Sequence, residues 1–477
     1  MKYTIVGSGP CGLSLAYILA MNGYNIEIIE KNKQLGGSWN SQWIENKYFS
    51  ENSPRVLLYD GYTKKFLNEI GIKDTDLSNI YGNLLQQTLK ILNFIKQFFN
   101  WDDYFKFIYM ISEYKLIKTN DTVETIINKT SLSDSSKTFI RIFCILINDT
   151  SNKTNINDFC GTFNIAATPF KQFKNSNQWH TLIQNKLQTL SNVKIYKNTE
   201  FINILQKNNS IIGYTIKQNN KTYIKTTNKI FLCTQSSGIL SILNKSDKII
   251  QNNWINYTYI KNWCKNTYYN GFGFQLHFNK NVKYPQEFCK YCISDWNIII
   301  LPVSDWLIQK SKDPKIKSVW SCVIVDMNSK STNINKTINE CTSDEILKES
   351  VYQLNKIKKI PKPYKITLSN GLKKINETWI SENTGFTRAT HGYLPMKGKI
   401  HNLYALGSFT DTNYNHVAYM ETSIRASIEY LNKYEPQLLG FHKYTYHFYY
   451  ILFFIILITI FIYFKQKINI SKVFTML

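Results

Sequence analysis

Gly7, Gly9 and Gly12 follow a short apolar stretch, residues 2–6, in the spacing G-x-G-x-x-G. Glycines at those intervals do a definite job beside a helix N-terminus. Gly7 permits a tight turn, Gly9 lets the backbone approach a pyrophosphate, and Gly12 lets helix and strand pack closely. Pro10 and Cys11 complete the loop and open an amphipathic helix carrying Leu13, Ala16, Ile18, Leu19 and Ala20, which ends at Asn22-Gly23. The start of that helix supplies oriented N–H groups and partial positive charge to an anion. A second apolar strand, 25–30, closes on Glu30. A carboxylate about 20 residues past the first glycine can accept from a ribose hydroxyl. Strand, glycine loop, helix and acid together read as a dinucleotide site.

Two histidines can move a proton near neutral pH. His391 lies in Thr387-Arg388-Ala389-Thr390-His391-Gly392-Tyr393, and His416 directly precedes an apolar helical stretch. A hydrogen-bonded structural histidine is the alternative for each. Cys289 and Cys292 form the sole C-x-x-C, without a second pair at a zinc-like spacing, so no metal site is expected. The nine cysteines are otherwise scattered singly, which reads as reduced thiols.

The chain that must position these groups has 477 residues, enough for about two or three domains. Apolar residues make up 43% and aromatics 15%, which excludes a disordered or disulfide-stapled protein. The net charge of +24 points toward nucleic acid or an anionic membrane on its face. The lysines behind it are dispersed, and Arg55, Arg141, Arg388 and Arg425 are the only arginines. No basic stripe with interleaved aromatics exists, so nucleic-acid binding is not expected.

After Glu30 the chain runs Lys31-Asn32-Lys33-Gln34-Leu35-Gly36-Gly37-Ser38-Trp39. Here it resembles the two-dinucleotide-binding-domain flavoproteins, and Glu51-Asn52-Ser53-Pro54-Arg55-Val56 resembles the Pro-Arg segment of the amine oxidase, protoporphyrinogen oxidase and phytoene desaturase branch. The resemblance implies FAD at this site. Gly7, Gly9, Pro10, Cys11 and Gly12 would carry the pyrophosphate, Glu30 and Lys31 the adenosine end, and Gly37, Ser38 and Trp39 the ribityl and flavin end. Arg55 would lie near the flavin; a fork-shaped donor that lysine cannot replace suits its retention in a lysine-rich chain. A strand at 401–407, a polar loop at 408–416 and a helix at 417–434 resemble the closing element of the same superfamily. Gly407 would then approach the ribityl chain and Met420 the flavin, with Arg425 one turn inside the helix. Ser408 stands where that element commonly carries Asp, and Asp411 would substitute. A core position on an amphipathic helix is the other fate open to Met420. Without a cysteine beyond Cys341, the FAD is expected to be noncovalent.

The resulting fold class is α/β: a Rossmann-like FAD-binding domain interleaved with an α+β substrate domain, plus a C-terminal transmembrane helix. The FAD domain takes residues 1–79, 181–250 and 381–440. Residues 80–180 form a helical cap, or a greasy entrance for a membrane-dissolved substrate. Residues 251–380 form the substrate domain, with a strand at 271–278 and a helix at 343–356 capped by Ser343 or Asp344. In the superfamily, strands such as 193–196 and 202–205 form a small sheet before the chain returns through an apolar strand at 228–234. No second G-x-G-x-x-G with strand and helix context is present, which tells against an NAD(P)H-dependent monooxygenase or disulfide reductase.

Residues 448–464 carry no charge and only Thr459 as a strongly polar group. At ~1.5 Å per residue they reach roughly 25 Å, and roughly 31 Å from Tyr444, matching a hydrocarbon core. The expectation is a span at 444–464 with a short tail at 465–477, tyrosines at one interface, Lys465 and Lys467 at the other, and the catalytic domain in the cytosol. The resemblance implies hydride transfer from an amine or lipophilic small molecule to FAD, with reoxidation by oxygen or another acceptor. A lipid-binding escort protein without redox chemistry is the rival within the same superfamily, and a flavin-bound membrane scaffold is a third reading.

Overall fold

A computed structural model describes residues 1–59, 61–147, 149–162, 168–267, 271–284, 290–381, 393–410 and 420–438. Its organising element is a five-stranded parallel sheet in the order Leu403–Ala405, Lys229–Leu232, β1 (Lys2–Val6), β2 (Asn25–Ile29), Val193–Tyr196. The register places Ile5 between Phe231 and Ile28, with Ile195 beyond Ile28 and Tyr404 beyond Phe231. Both faces are covered, so β1 and β2 are buried along nearly their whole length, Thr4 and Glu27 included. On one face pack helix α1 (Pro10–Met21) and the helices Gly61–Ile70, Gln178–Gln188 and Met420–Tyr434. On the other lies a three-stranded antiparallel sheet spanning 199–226, with the helices Ser236–Lys245, Lys248–Trp254 and Tyr257–Thr267.

Two expectations change here. The helix α1 is not amphipathic: every residue from Pro10 to Ala20 is buried. The helix Met420–Tyr434 seals its outer side, and a helix that is apolar all round belongs in such a sandwich. The strand Val193–Tyr196 does not join the small sheet either. It pairs in parallel with β2 at the edge of the main sheet, and the small sheet begins at Thr199. A turn with Asn198 at positive φ separates the two strands.

A second, antiparallel sheet runs in the order Ile298–Leu301, Ser318–Ile324, Phe272–Phe278, Lys365–Leu368. The helix Ser343–Ile357 buries Ile346 and Leu354 in its core. Its cap is Thr342, one residue before the expected Ser343 or Asp344, in a reciprocal box with Glu345. Residues 84–162 are helical as expected: Leu84–Lys96, Trp101–Leu116, Val123–Lys129, Asp134–Leu146 and Ile156–Thr162 surround Phe139 and its neighbouring phenylalanines. Among the described residues, no helix is long and apolar enough to cross a membrane. The expected span at 444–464 lies outside the described residues.

Candidate cofactor and active site

In an open parallel sheet the binding crevice forms beyond the carboxyl ends of the strands, where the strand order reverses. That reversal occurs at β1: the chain leaves it toward β2 on one side and returns beside it through Lys229–Leu232 on the other. The glycine loop sits there. Gly7 has φ +100°, and a Cβ on it would meet the Cys233 carbonyl oxygen at 2.7 Å. A Cβ on Gly12 would meet the Gly7 carbonyl oxygen at 2.1 Å. Gly9 differs: among the described residues nothing lies within 4 Å of a Cβ built there. Packing therefore explains Gly7 and Gly12, whereas the space in front of Gly9 is left open for a ligand. With Pro10 at the first helical position, the amides of Cys11 and Gly12 have no acceptor within the helix.

The Gly36-Gly37 pair closes the same cradle. The Gly36 amide donates to the Ser8 carbonyl at 2.9 Å. Gly37, at φ +57°, lies so close that its Cβ would stand 3.0 Å from Gly9 Cα. Glu30 reaches in from the end of β2: Oε2 accepts from the Ser8 amide (3.0 Å) and hydroxyl (2.6 Å), and Oε1 accepts from the Asn32 amide (2.8 Å). Each carboxylate oxygen has two lone pairs, so acceptor capacity for a ribose hydroxyl remains. Lys31 follows, exposed at the rim. These residues fit a dinucleotide.

The Pro-Arg segment forms the opposite wall. Arg55 donates through Nε (2.9 Å) and Nη2 (2.7 Å) to Glu51 Oε2, and through Nη1 to the Ser38 carbonyl at 3.1 Å. Its guanidinium lies 5.2 Å from the Trp39 ring centroid. The Glu51 carbonyl in turn accepts from Gln275 Nε2 (2.8 Å) and Ser369 Oγ (2.6 Å), tying this wall to the second sheet. Gly273 belongs to that junction, because a Cβ on it would meet the Asn52 carbonyl oxygen at 2.3 Å. A narrow cavity beside the pair is lined by Trp39, Phe49, Glu51, Arg55, Gln172 and Trp306, among others. Glu51 Oε1 is buried and makes no hydrogen bond among the described residues.

Of the closing element, the strand Leu403–Ala405 and the helix Met420–Tyr434 lie among the described residues. The strand Leu403–Ala405 delivers Gly407 to the crevice, in a turn held by the Thr410 hydroxyl donating to the Gly407 carbonyl at 2.7 Å. The following helix is bolted to α1: Ser427 Oγ donates to the Cys11 carbonyl at 2.8 Å and lies 2.9 Å from Ser14 Oγ. Met420 opens this helix fully buried in the core packed on α1. Arg425 pairs with Glu421 and stacks 5.0 Å over the Tyr62 ring. His391, His416 and Asp411 lie outside the described residues, so their expected roles are neither placed nor moved. Among the described residues no cluster of His, Cys, Asp and Glu could hold a metal ion.

Glu51, Gln172, His180, Gln275 and Ser427 were not singled out by sequence reasoning, and all of them shape the site. His180 carries the clearest signal in retrospect, following Trp179 on an apolar helical face. It packs so tightly on Gly36 that a Cβ there would meet its Cδ2 at 2.8 Å, and its Nε2 lies 3.0 Å from Asn177 Oδ1. Burial, reinforced by the Arg55 and Lys197 charges, pushes its pKa down to about 4. His277, on the second sheet, is pushed to about 4 by burial and by Lys365, with Nε2 at 2.9 Å from Thr367 Oγ1. An unfolded histidine titrates near 6.5. Between pH 6.5 and 4 the unfolded chain therefore takes up protons that the folded chain refuses, and stability falls as pH drops through that window. The His277→Gln variant is expected to lose part of that dependence, up to about 1.4 kcal/mol per pH unit. Denaturant midpoints of both proteins at pH 4.5, 5.5 and 7 check it; parallel curves would refute it.

Residues 5–70 match the model of the NAD(P)-binding Rossmann-like domain. No curated protein matches the chain by sequence. Solved structures share its fold. An oxidoreductase from Methanosarcina mazei is 12% identical, with a TM-score of 0.59 over 91% of this chain and 100% of that one. The cyclohexylamine oxidase of Brevibacterium oxydans is 10% identical, with a TM-score of 0.56 over 92% of this chain and 99% of that one. A putrescine oxidase bound to putrescine is 10% identical, with a TM-score of 0.59 over 91% of this chain and 99% of that one. At 10–12% identity the likeness to these structures is one of fold, with a Rossmann-like domain at residues 5–70.

Proposed function

We propose that this chain is an FAD-dependent oxidoreductase that takes a hydride from an amine or a lipophilic small molecule. The observation that carries the reading is the open space in front of Gly9, within a loop whose other glycines are explained by packing. FAD supplies the hydride acceptor when bound, and the protein's work is to bind, orient and exclude water. The Cys11 and Gly12 amides would face the pyrophosphate, Glu30 would accept from the adenosine ribose, and Gly37, Ser38, Trp39 and Arg55 would form the wall at the ring end. Gly407 and Asp411 would close the site from the C-terminal side, with Met420 packed in the core behind them. The bound FAD is held without a covalent link. Proton removal from substrate would fall to His391 or His416, and the flavin's chemistry would call for oxygen or another acceptor to complete the cycle.

The uncharged run 448–464 supports a membrane anchor at the C-terminal end, with the flavin domain on the cytosolic side. Substrate class is tested by anaerobic titration of the purified, flavin-loaded protein with primary amines and with isoprenoid alcohols. Bleaching of the flavin absorbance near 450 nm by one class identifies the donor. A bound flavin that dithionite reduces and neither class bleaches would refute the proposed substrate range.

A further inference from the structure

Among the described residues, eight large exposed hydrophobic side chains fall within 84–117: Leu84, Leu85, Leu89, Trp101, Phe105, Tyr109, Leu116 and Ile117. Their spacing is helical. On Leu84–Lys96 the buried positions are Gln87 and Phe94, and Leu85 and Leu89 point the opposite way. On Trp101–Leu116 the buried positions are Asp103, Phe107, Met110 and Ile111, while Trp101, Phe105 and Tyr109 form an i, i+4, i+8 stripe on the other side. Both helices thus bury one face around Phe139 and turn an apolar face outward. Leu85, Tyr109 and Leu116 are 68%, 69% and 83% exposed. An apolar surface of this extent marks an interaction site.

We infer that this outer face of the helices Leu84–Lys96 and Trp101–Leu116 seats on an anionic lipid surface. The side-chain types are those of a membrane interface: aromatic rings and leucines, with Lys90, Lys96 and Lys118 around them. Three acidic groups lie on these helices, and the half-buried Glu113 is the one left to offset the lysines. Asp103 is buried against Ser133 and Ser136, and Asp102 is paired with Lys106. The run 448–464 of the same chain is a poorer occupant. It is apolar all round, so docking one side of it here would leave its other side in water, whereas lipid satisfies both surfaces. A second copy across a two-fold axis would bring two lysine-rimmed faces together with little acidic surface to pair them. The inference is independent of the redox reading, because it concerns a surface and not the flavin cradle.

The test uses the full chain in phosphatidylcholine vesicles with and without phosphatidylserine, each carrying a photoactivatable phospholipid, with labelled peptides mapped by mass spectrometry. Lipid label is expected on peptides from 84–117, stronger with phosphatidylserine and weakened by salt. The variant carrying Leu85→Glu, Leu89→Glu, Phe105→Glu and Tyr109→Glu should lose that label roughly tenfold while keeping the circular dichroism and melting temperature of the wild type. Label confined to 439–477 would overturn the inference, as would label on 84–117 that the fourfold variant retains. Cross-links from 84–117 to 439–477, or a dimer in the absence of lipid that the variant abolishes, would overturn it too and identify the actual occupant.

Discussion

The Gly9→Ala protein is expected to fold like the wild type and to bind FAD about 100-fold more weakly, a loss of about 2.7 kcal/mol. The separation follows from what surrounds each glycine. Gly9 has extended backbone angles that alanine adopts freely, and its new methyl group would touch no atom of the described residues within 4 Å. Only a ligand approaching the backbone would meet it. Gly12→Ala is the contrasting case, since its methyl group would stand 2.1 Å from the Gly7 carbonyl oxygen and force α1 away from β1. That variant should lose thermal stability and cofactor together. Calorimetry paired with FAD titration distinguishes the two. Wild-type FAD affinity in Gly9→Ala would show that no pyrophosphate approaches this turn.

The second large effect is expected at Arg55. Its partner Glu51 has a side chain only 3% exposed, so Arg55→Ala leaves a buried carboxylate without its counter-charge. Removing one member of such a pair costs about 3–5 kcal/mol, and Arg55→Lys recovers only part because lysine cannot supply the fork that holds both Glu51 and Ser38. The double variant Glu51→Met/Arg55→Met should regain most of the loss, since no uncompensated charge remains. Urea midpoints of the two single variants and the double one form the cycle. A single-variant cost under about 1 kcal/mol would mean that water reaches this pair and that the wall is not dry.

Much of this site is legible in the sequence because its determinants are local. The glycine loop, the acid ending β2 and the Gly36-Gly37 pair lie within one short βαβ unit, where spacing alone fixes placement. Residues that depend on distant partners were not legible. Nothing near Val193 says that its strand pairs with β2, because parallel pairing is set by chain segments far apart. Arg55 stands out as a rare arginine, yet its bond to Glu51 arises in an irregular segment where the interval of four carries no helical meaning. Ser427 reads as an ordinary helix residue until α1 is laid beside it. The burial of α1 on all sides likewise depends on a helix some 400 residues away, so its sequence could predict the helix and not its surroundings.

The measurement that bears most directly on the central claim is the visible absorption spectrum of the purified full chain in mild detergent, before and after acid precipitation. A flavin spectrum that moves entirely to the supernatant, there identified as FAD, is the predicted result. A folded, colourless protein that takes up no added FAD would contradict it, and would turn the same cradle over to a lipid-binding role without redox chemistry.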